Sequence, residues 1–186
     1  MNRQDIEKKY ENTSDEEPAA AKRTDLYDEM ITHPAHLIRR SYQIFQAGFD
    51  EDMAVTGVTP VQWIILVTVF SYPGIDMTRL AGFAAVDKTS CGRAVSKLVE
   101  RGFLQVSPIV EDLRQKRLSV TKDGELAIEQ TRPGIGRLRD RLLGVLSREE
   151  QKNLLEALEV FVRKNNELSR APQRRYQKRS AKNGGS

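Results

Sequence analysis

The sequence predicts a mainly α-helical chain with one short β-hairpin, and three observations predict it. Apolar residues recur at three- and four-residue spacing through most of residues 35–165. Residues suited to capping helices, Thr59, Asp76, Asp87, Thr121 and Ser147, open successive runs. Only two short segments, Phe103-Leu104-Gln105-Val106 and Arg117-Leu118-Ser119-Val120, read as strands, and they flank a charged turn.

The first long helix is expected from Ala35 to Met53, where Ile38, Tyr42, Phe45 and Phe49 recur at helical spacing. Gly57 and Val58 break the pattern. Thr59-Pro60-Val61-Gln62 is a helix start with three agreeing signals. Thr59 is the N-cap, Pro60 takes the first helical position at no cost in hydrogen bonds, and Gln62 completes a capping box. Trp63, Leu66, Val67 and Phe70 are expected to form the buried stripe, and Tyr72-Pro73-Gly74 ends the helix. Asp76 caps a short helix, Met77 to Ala84, with Met77, Leu80 and Ala81 inward. Asp87 caps a longer one, Lys88 to Arg101, closed by Gly102. Its apolar stripe is Cys91, Val95, Leu98 and Val99. The opposite face carries Lys88, Thr89, Gly92, Arg93, Ser96 and Lys97, which is small, polar and basic. After the hairpin, Thr121 caps a helix running to Leu146 with an expected kink at Pro133. Ser147-Arg148-Glu149-Glu150 is a second capping box, opening a last helix with Leu154, Leu155, Leu158, Phe161 and Val162 on its apolar face.

Two helices joined by a tight turn and followed by a β-hairpin make a winged helix-turn-helix. The expected fold is therefore mainly α with a short β-hairpin wing: a winged helix-turn-helix domain plus a helical dimerisation lobe. In such a domain the second helix of the pair enters the DNA major groove. Lys88, Thr89, Ser90, Arg93, Ser96 and Lys97 are the candidates for DNA contact on that helix. Thr89, Ser90 and Arg93 are suited to base edges and Lys97 to phosphate. On the wing the candidates are Asp112, Arg114 and Lys116, with Asp112 orienting the Arg114 guanidinium toward a minor groove.

Charge is placed accordingly. The chain of 186 residues carries 30 Lys+Arg against 26 Asp+Glu, a net of +4. Residues 88–117 hold seven basic and three acidic side chains, whereas residues 1–32 hold five basic and nine acidic. From Arg170 on there are six basic residues and no acid. The bland alternative for the basic helix face is an ordinary solvated surface, and for Asp112 and Arg114 an exposed pair worth well under ~1 kcal/mol.

Other function classes find little support. One cysteine, Cys91, permits no internal disulfide framework or cysteine metal cluster, and His33 and His36 alone do not make a zinc site. No catalytic triad context or Gly-rich phosphate loop is present, so no enzyme, cofactor or metal is expected. The longest apolar run, Trp63 to Phe70, has eight residues, far short of the ~20 that span a bilayer. With no apolar N-terminal stretch for a signal peptide, the expected location is the cytoplasm and no membrane partner is expected.

Four segments together resemble one family. Asp112-Leu113-Arg114, followed by Lys116 to Gly124, strongly resembles the D-x-R…L-x-L-T-x-x-G wing signature of the MarR (multiple antibiotic resistance regulator) family. Val58-Thr59-Pro60-Val61-Gln62-Trp63 resembles its L-T-P-x-Q-W/Y segment, Asp87 to Gly102 its recognition segment, and Leu146 to Glu150 its L-S-x-E-E helix start. The resemblance runs colinearly over residues 35–165. Gly92 and the two tails depart from the family pattern.

The resemblance implies a homodimer paired through its first and last helices. It implies two winged lobes on a palindromic double-stranded operator, and a repressor released by a small ligand lodged between the lobes. Charge and the lack of apolar periodicity suggest a largely disordered acidic segment at 1–32, with helix beginning after about Leu26, and a basic flexible tail at 170–186, and the resemblance sets a MarR-like domain at 33–169 between them. Within the domain, 58–121 is the winged helix-turn-helix, and 33–57 and 122–169 supply the dimerisation helices. Pro34 to Arg40 (P-x-x-L-I-R-R) looks like a subset of the family that responds to aromatic acids or their CoA thioesters. His36, Arg39, Arg40, Tyr42, Phe45, Trp63 and Met77 are the corresponding ligand-binding candidates, with Arg39 or Arg40 holding a carboxylate. Each aromatic or Met among them is equally well a core residue. Two alternatives stay open: an oxidant-responsive regulator acting through Cys91, and a winged-helix protein-interaction module without DNA readout.

Overall fold

The computed structural model describes residues 25–109 and 112–174, and at 109 and 112–115 the backbone alone. Two compact units divide between Gln46 and Ala47. The described part of the first is helical over 25–32 and bends at His33, whose Nδ1 accepts from the Ala35 N–H at 3.2 Å. Helix begins at least as early as Asp25, within the segment expected to be largely disordered. Helix α1 then spans Pro34–Asp52.

The second unit carries α2 (Pro60–Ser71), α3 (Met77–Ala84), α4 (Lys88–Glu100), strands β1 (Leu104–Ile109) and β2 (Asp112–Val120), α5 (Lys122–Leu143) and α6 (Arg148–Asn165). The caps form where the sequence places them. Thr59 and Gln62 make a reciprocal capping box, as do Ser147 and Glu150. Asp76, Asp87 and Thr121 each accept from backbone N–H groups in the first turn they cap. At the far end of α4, Gly102 adopts φ +73°, and the Phe103 and Gly102 N–H groups return to the Leu98 and Val99 carbonyls, a Schellman closure.

α2 is the centre of the unit, touching α3, α4, β2 and α5. Of its expected stripe Leu66 is buried, Trp63 and Val67 are half-buried, and Phe70 is exposed. Ile65 and Val69 are the fully buried residues beside Leu66. A helix apolar on every side gives no periodic signal for its innermost face, so neighbours on several sides decide it. On α4 the buried set is Cys91, Ala94, Val95 and Leu98, and Val99 is exposed instead. These residues join Leu80, Leu104 and Leu118 in one core. A second cluster, Phe49, Met53 and Leu138, lies between the end of α1 and α5, and Trp63 packs against both clusters.

The hairpin is longer than the two expected strands. Pairing runs from Leu104↔Val120 to Pro108↔Lys116 with a register shift before Ile109, and most of the expected charged turn is strand. A two-stranded ribbon exposed on both faces accepts charged side chains without any alternation, and Pro108, which has no N–H, sits beside the irregularity. Ile75 bridges to Leu118 and ties the root of the wing to the α2–α3 loop.

α5 is continuous through Pro133 and ends at Leu143, three residues before the expected boundary. The Thr131 hydroxyl, buried, donates to the Ala127 carbonyl at 2.6 Å and shares a hydrogen bond with the buried Thr56 hydroxyl at 3.0 Å. Arg141 bridges Glu51 at 2.9 Å and Asp52 at 3.0 Å. Glu51 chiefly raises the guanidinium's pKa, with Asp52 adding to it. α6 buries none of its residues, and no described helix is long and apolar enough to cross a membrane.

Candidate nucleic-acid interface

α4 is held by one face and shows the other. Cys91, Ala94, Val95 and Leu98 are in the core, while Lys88, Thr89, Arg93, Ser96 and Lys97 are exposed. With Thr59, Val61 and Gln62 from the start of α2 and with Glu100, this face lines an open groove of about 730 Å³. The α2 residues were not among the sequence candidates, because the Thr59-Pro60 start reads as a cap and its closeness to α4 is a tertiary fact. Ser90 is half-buried and its N–H donates to Asp87 Oδ1 at 2.9 Å. Hydrogen bonds from the Ser90 N–H and hydroxyl hold the Asp87 carboxyl below its usual range, so it stays ionised at the helix start. Ser90 thus serves the cap first. A Cβ on Gly92 would meet nothing within 4 Å, so the gap in this face is not filled by packing.

Arg101, one of the seven basic residues of the 88–117 stretch, serves the fold. Its guanidinium donates to the Gly57 carbonyl at 3.1 Å and to the Thr56 carbonyl, and lies 4.5 Å from the centre of the Phe103 ring. No sequence signal joins residues that far apart in the chain. Lys116 is exposed on β2 opposite Pro108. The backbone of Asp112 and Arg114 is strand, and their side chains lie outside the described residues.

Cys91 is fully buried, and burial, with the Asp87 charge adding to it, pushes its thiol up to about 11. At neutral pH it is an uncharged core thiol, the unreactive form, which counts against the oxidant-responsive alternative. Among the ligand candidates, Arg39 and Arg40 are exposed on α1 and both donate to Gln43 Oε1, at 3.1 and 3.2 Å. His36 is half-buried, and Tyr42 and Phe45 are exposed. Trp63 and Met77 are half-buried against the core of the second unit.

Comparisons with known proteins bear on this arrangement. The MarR family profile matches residues 58–116, which hold α2, the α3–α4 pair and most of the hairpin. YybA of Bacillus subtilis, an HTH-type transcriptional regulator, is 34% identical over 109 residues, 58% of this chain and 71% of its own length. Among solved structures, the transcriptional repressor CouR bound to a 23-mer DNA duplex superposes with a TM-score of 0.68 at 21% identity, over 72% of this chain and 95% of that one. Bordetella bronchiseptica BpsR, described with regulation of its DNA binding by 6-hydroxynicotinic acid, gives 0.66 at 22% identity, over 70% and 94%. Those two likenesses carry the fold. A mostly helical unit, a two-stranded wing, a helix pair with a polar, basic outer face and the match to YybA agree: this chain belongs to the MarR family of transcriptional regulators.

Proposed function

We propose that the protein is a sequence-specific, homodimeric repressor that binds a palindromic operator and leaves it when a small ligand binds. The observation that carries this is α4. Its buried face fixes the helix, and its exposed face offers Lys88, Thr89, Arg93, Ser96 and Lys97 to a groove that admits an α-helix. Residues 58–121 form the DNA-reading part, with Asp112, Arg114 and Lys116 on the wing, and 33–57 and 122–169 supply the pairing helices. Two-fold symmetry then sets operator half-sites about one helical turn, ~10 bp, apart. The ligand class is an aromatic acid or its CoA thioester, with Arg39 or Arg40 the candidate for the anionic group and His36, Tyr42, Phe45, Trp63 and Met77 the other ligand-binding candidates. BpsR, whose DNA binding is regulated by an aromatic acid, supports that class. The protein acts in the cytoplasm, where its DNA is.

The test compares two arginines. Arg93→Ala should cost about 1–3 kcal/mol and relax preference at one base position per half-site. Arg114→Ala should weaken binding to operator and scrambled duplexes alike and lower the salt slope by about one unit per wing. Titrations of both duplexes at several salt concentrations read both effects. If neither variant changes affinity or slope, the DNA-reading assignment fails.

Gly92 adds a separate expectation. Glycine in a helix interior costs about 0.5–1 kcal/mol relative to alanine, and here there is room for the methyl. Gly92→Ala should therefore raise the melting temperature by about 2–4 °C per kcal/mol gained. It should also weaken operator binding, because the methyl would fill clearance that the groove leaves for bases. An alanine variant that melts higher and binds operator as tightly as the parent would show that this clearance has no role.

A further inference from the structure

The chain does not leave the domain where α6 ends. After a short 3-10 turn, Asn166–Leu168, the Asn166 side chain closes a loop onto Gln173. Its Oδ1 accepts from the Gln173 N–H at 2.8 Å, and its Nδ2 donates to the Gln173 carbonyl at 3.3 Å. Glu167 and Arg174 pair across the same loop at 3.4 Å. The loop lies on the last turn of α3. The Arg174 N–H donates to the Gly82 carbonyl at 2.8 Å, and Gln173 Nε2 to the Phe83 carbonyl at 3.4 Å. The Arg174 stem sits directly on Gly82, where a Cβ would come within 3.1 Å of its Cγ.

These carbonyls belong to a helix end, where the next turn that would supply N–H groups is missing. The Ala85 N–H reaches the Gly82 carbonyl at 3.4 Å, so the shorter of its two bonds is the one brought from the end of α6. Ala85 itself stands at φ +53°, in the left-handed region that a side chain disfavours. It lies in the turn between α3, which ends at Ala84, and α4, which begins at Lys88. The first residue of α4 in the core is Cys91. Lys88 and Thr89 precede it, are exposed, and take their place from this strained turn.

We infer that residues 166–174 are a strap by which α6 holds the α3–α4 turn in its strained form, and that the strap thereby positions the first turn of α4 for reading a base sequence. It acts through the turn and needs no DNA contact of its own. α6 is the pairing helix of the function proposed above, so the strap joins pairing to reading, and its part in readout rests on that function.

The test compares the full chain with three variants on the strap, whose side chains lie outside the winged-lobe core. Asn166→Ala opens the loop. Gln173→Glu sets a negative charge against carbonyls at the partly negative end of a helix, and Gln173→Lys sets a positive one there. Hydrogen exchange read by mass spectrometry follows the turn. Titration of a duplex selected by the full chain from a randomised pool, and of a scrambled duplex, follows the reading. Their ratio is the measure, because an added charge acts on both duplexes alike. Asn166→Ala and Gln173→Glu should speed exchange at Ala85 and Val86 by about 5- to 20-fold, as expected for one or two lost hydrogen bonds, and leave α2 unchanged. They should lower the preference for the selected duplex by about 3-fold or more. Gln173→Lys should match the parent in both. Adding Ala85→Gly to Asn166→Ala should restore slow exchange, because glycine takes the left-handed form without strain. Unchanged exchange at the turn, exchange equally faster in α2, equal behaviour of the two Gln173 variants, or no restoration by glycine would each overturn the strap. Faster exchange with the duplex preference intact overturns its part in reading. If the full chain prefers neither duplex, the proposed function fails and the reading role with it, while exchange still decides whether the strap holds the turn.

Discussion

Phe161→Glu should turn the protein into a monomer that no longer holds a palindromic operator. α6 buries none of its residues, and Leu154, Leu155, Leu158, Phe161 and Val162 leave a continuous apolar strip exposed on it. Ile38, Tyr42 and Phe45 on α1 are likewise exposed. A strip of that kind marks a surface meant for a partner, and a second copy of the chain is the proposed one. Burying a Phe side chain is worth about 1.5–3 kcal/mol. In a two-fold interface each substitution counts twice, so Phe161→Glu removes about 3–6 kcal/mol from the dimer before any cost of burying charge. That is roughly 10²- to 10⁴-fold in the dissociation constant. Sedimentation at micromolar concentration should show a dimeric parent and a monomeric variant, with the melting of the winged lobe retained because Phe161 is not in its core. A variant that still sediments as a dimer would move the interface off this face of α6.

Gly124→Ala should be the most destabilising Gly→Ala change among the described glycines. Thr121 caps α5 through the Gly124 N–H at 3.1 Å, and the Thr121 hydroxyl also reaches the Gly102 carbonyl. This draws the first turn of α5 against the loop between α4 and β1. A Cβ on Gly124 would sit 2.1 Å from the Phe103 carbonyl oxygen and 2.7 Å from Val120 Cγ1. The first obstacle is backbone and cannot rotate away. Overpacking of this kind typically costs 1–3 kcal/mol and sometimes more, against a helix-propensity gain of about 0.5–1 kcal/mol. Denaturant melts should show a lower midpoint at unchanged slope. An alanine variant as stable as the parent would mean that α5 shifts freely on the wing.

What was legible in the sequence was what is local. A cap is decided within four residues, so Thr59, Asp76, Asp87, Thr121 and Ser147 could be placed from the chain alone, as could the Gly102 closure. The polar, basic face of α4 was legible for the same reason, since helical spacing fixes it. The inner face of α2 was not, because WIILVTVF is apolar all round and its neighbours come from four other elements. The length of the wing was not, because ladder pairing between charged segments leaves no apolar alternation to read. The Arg101 contacts with the 56–57 carbonyls and the seat of Arg174 on Gly82 join residues distant in sequence, and charge alone cannot announce either.

The Arg101 contacts also have a mechanical consequence. Bonded to the Thr56 and Gly57 carbonyls and stacked on Phe103, Arg101 welds the C-terminus of α4 to the turn that follows α1. α4 has 13 residues, and at 1.5 Å per residue its first turn stands about 20 Å from that weld. Cys91, Ala94, Val95 and Leu98 hold the helix between in the core, so helix and core carry the reading face as one body. A tilt of that body by about 10° about the weld would sweep the first turn of α4 through roughly 3.5 Å, about one base-pair step. A tilt of that size is enough to put Lys88, Thr89 and Arg93 out of register with a base sequence.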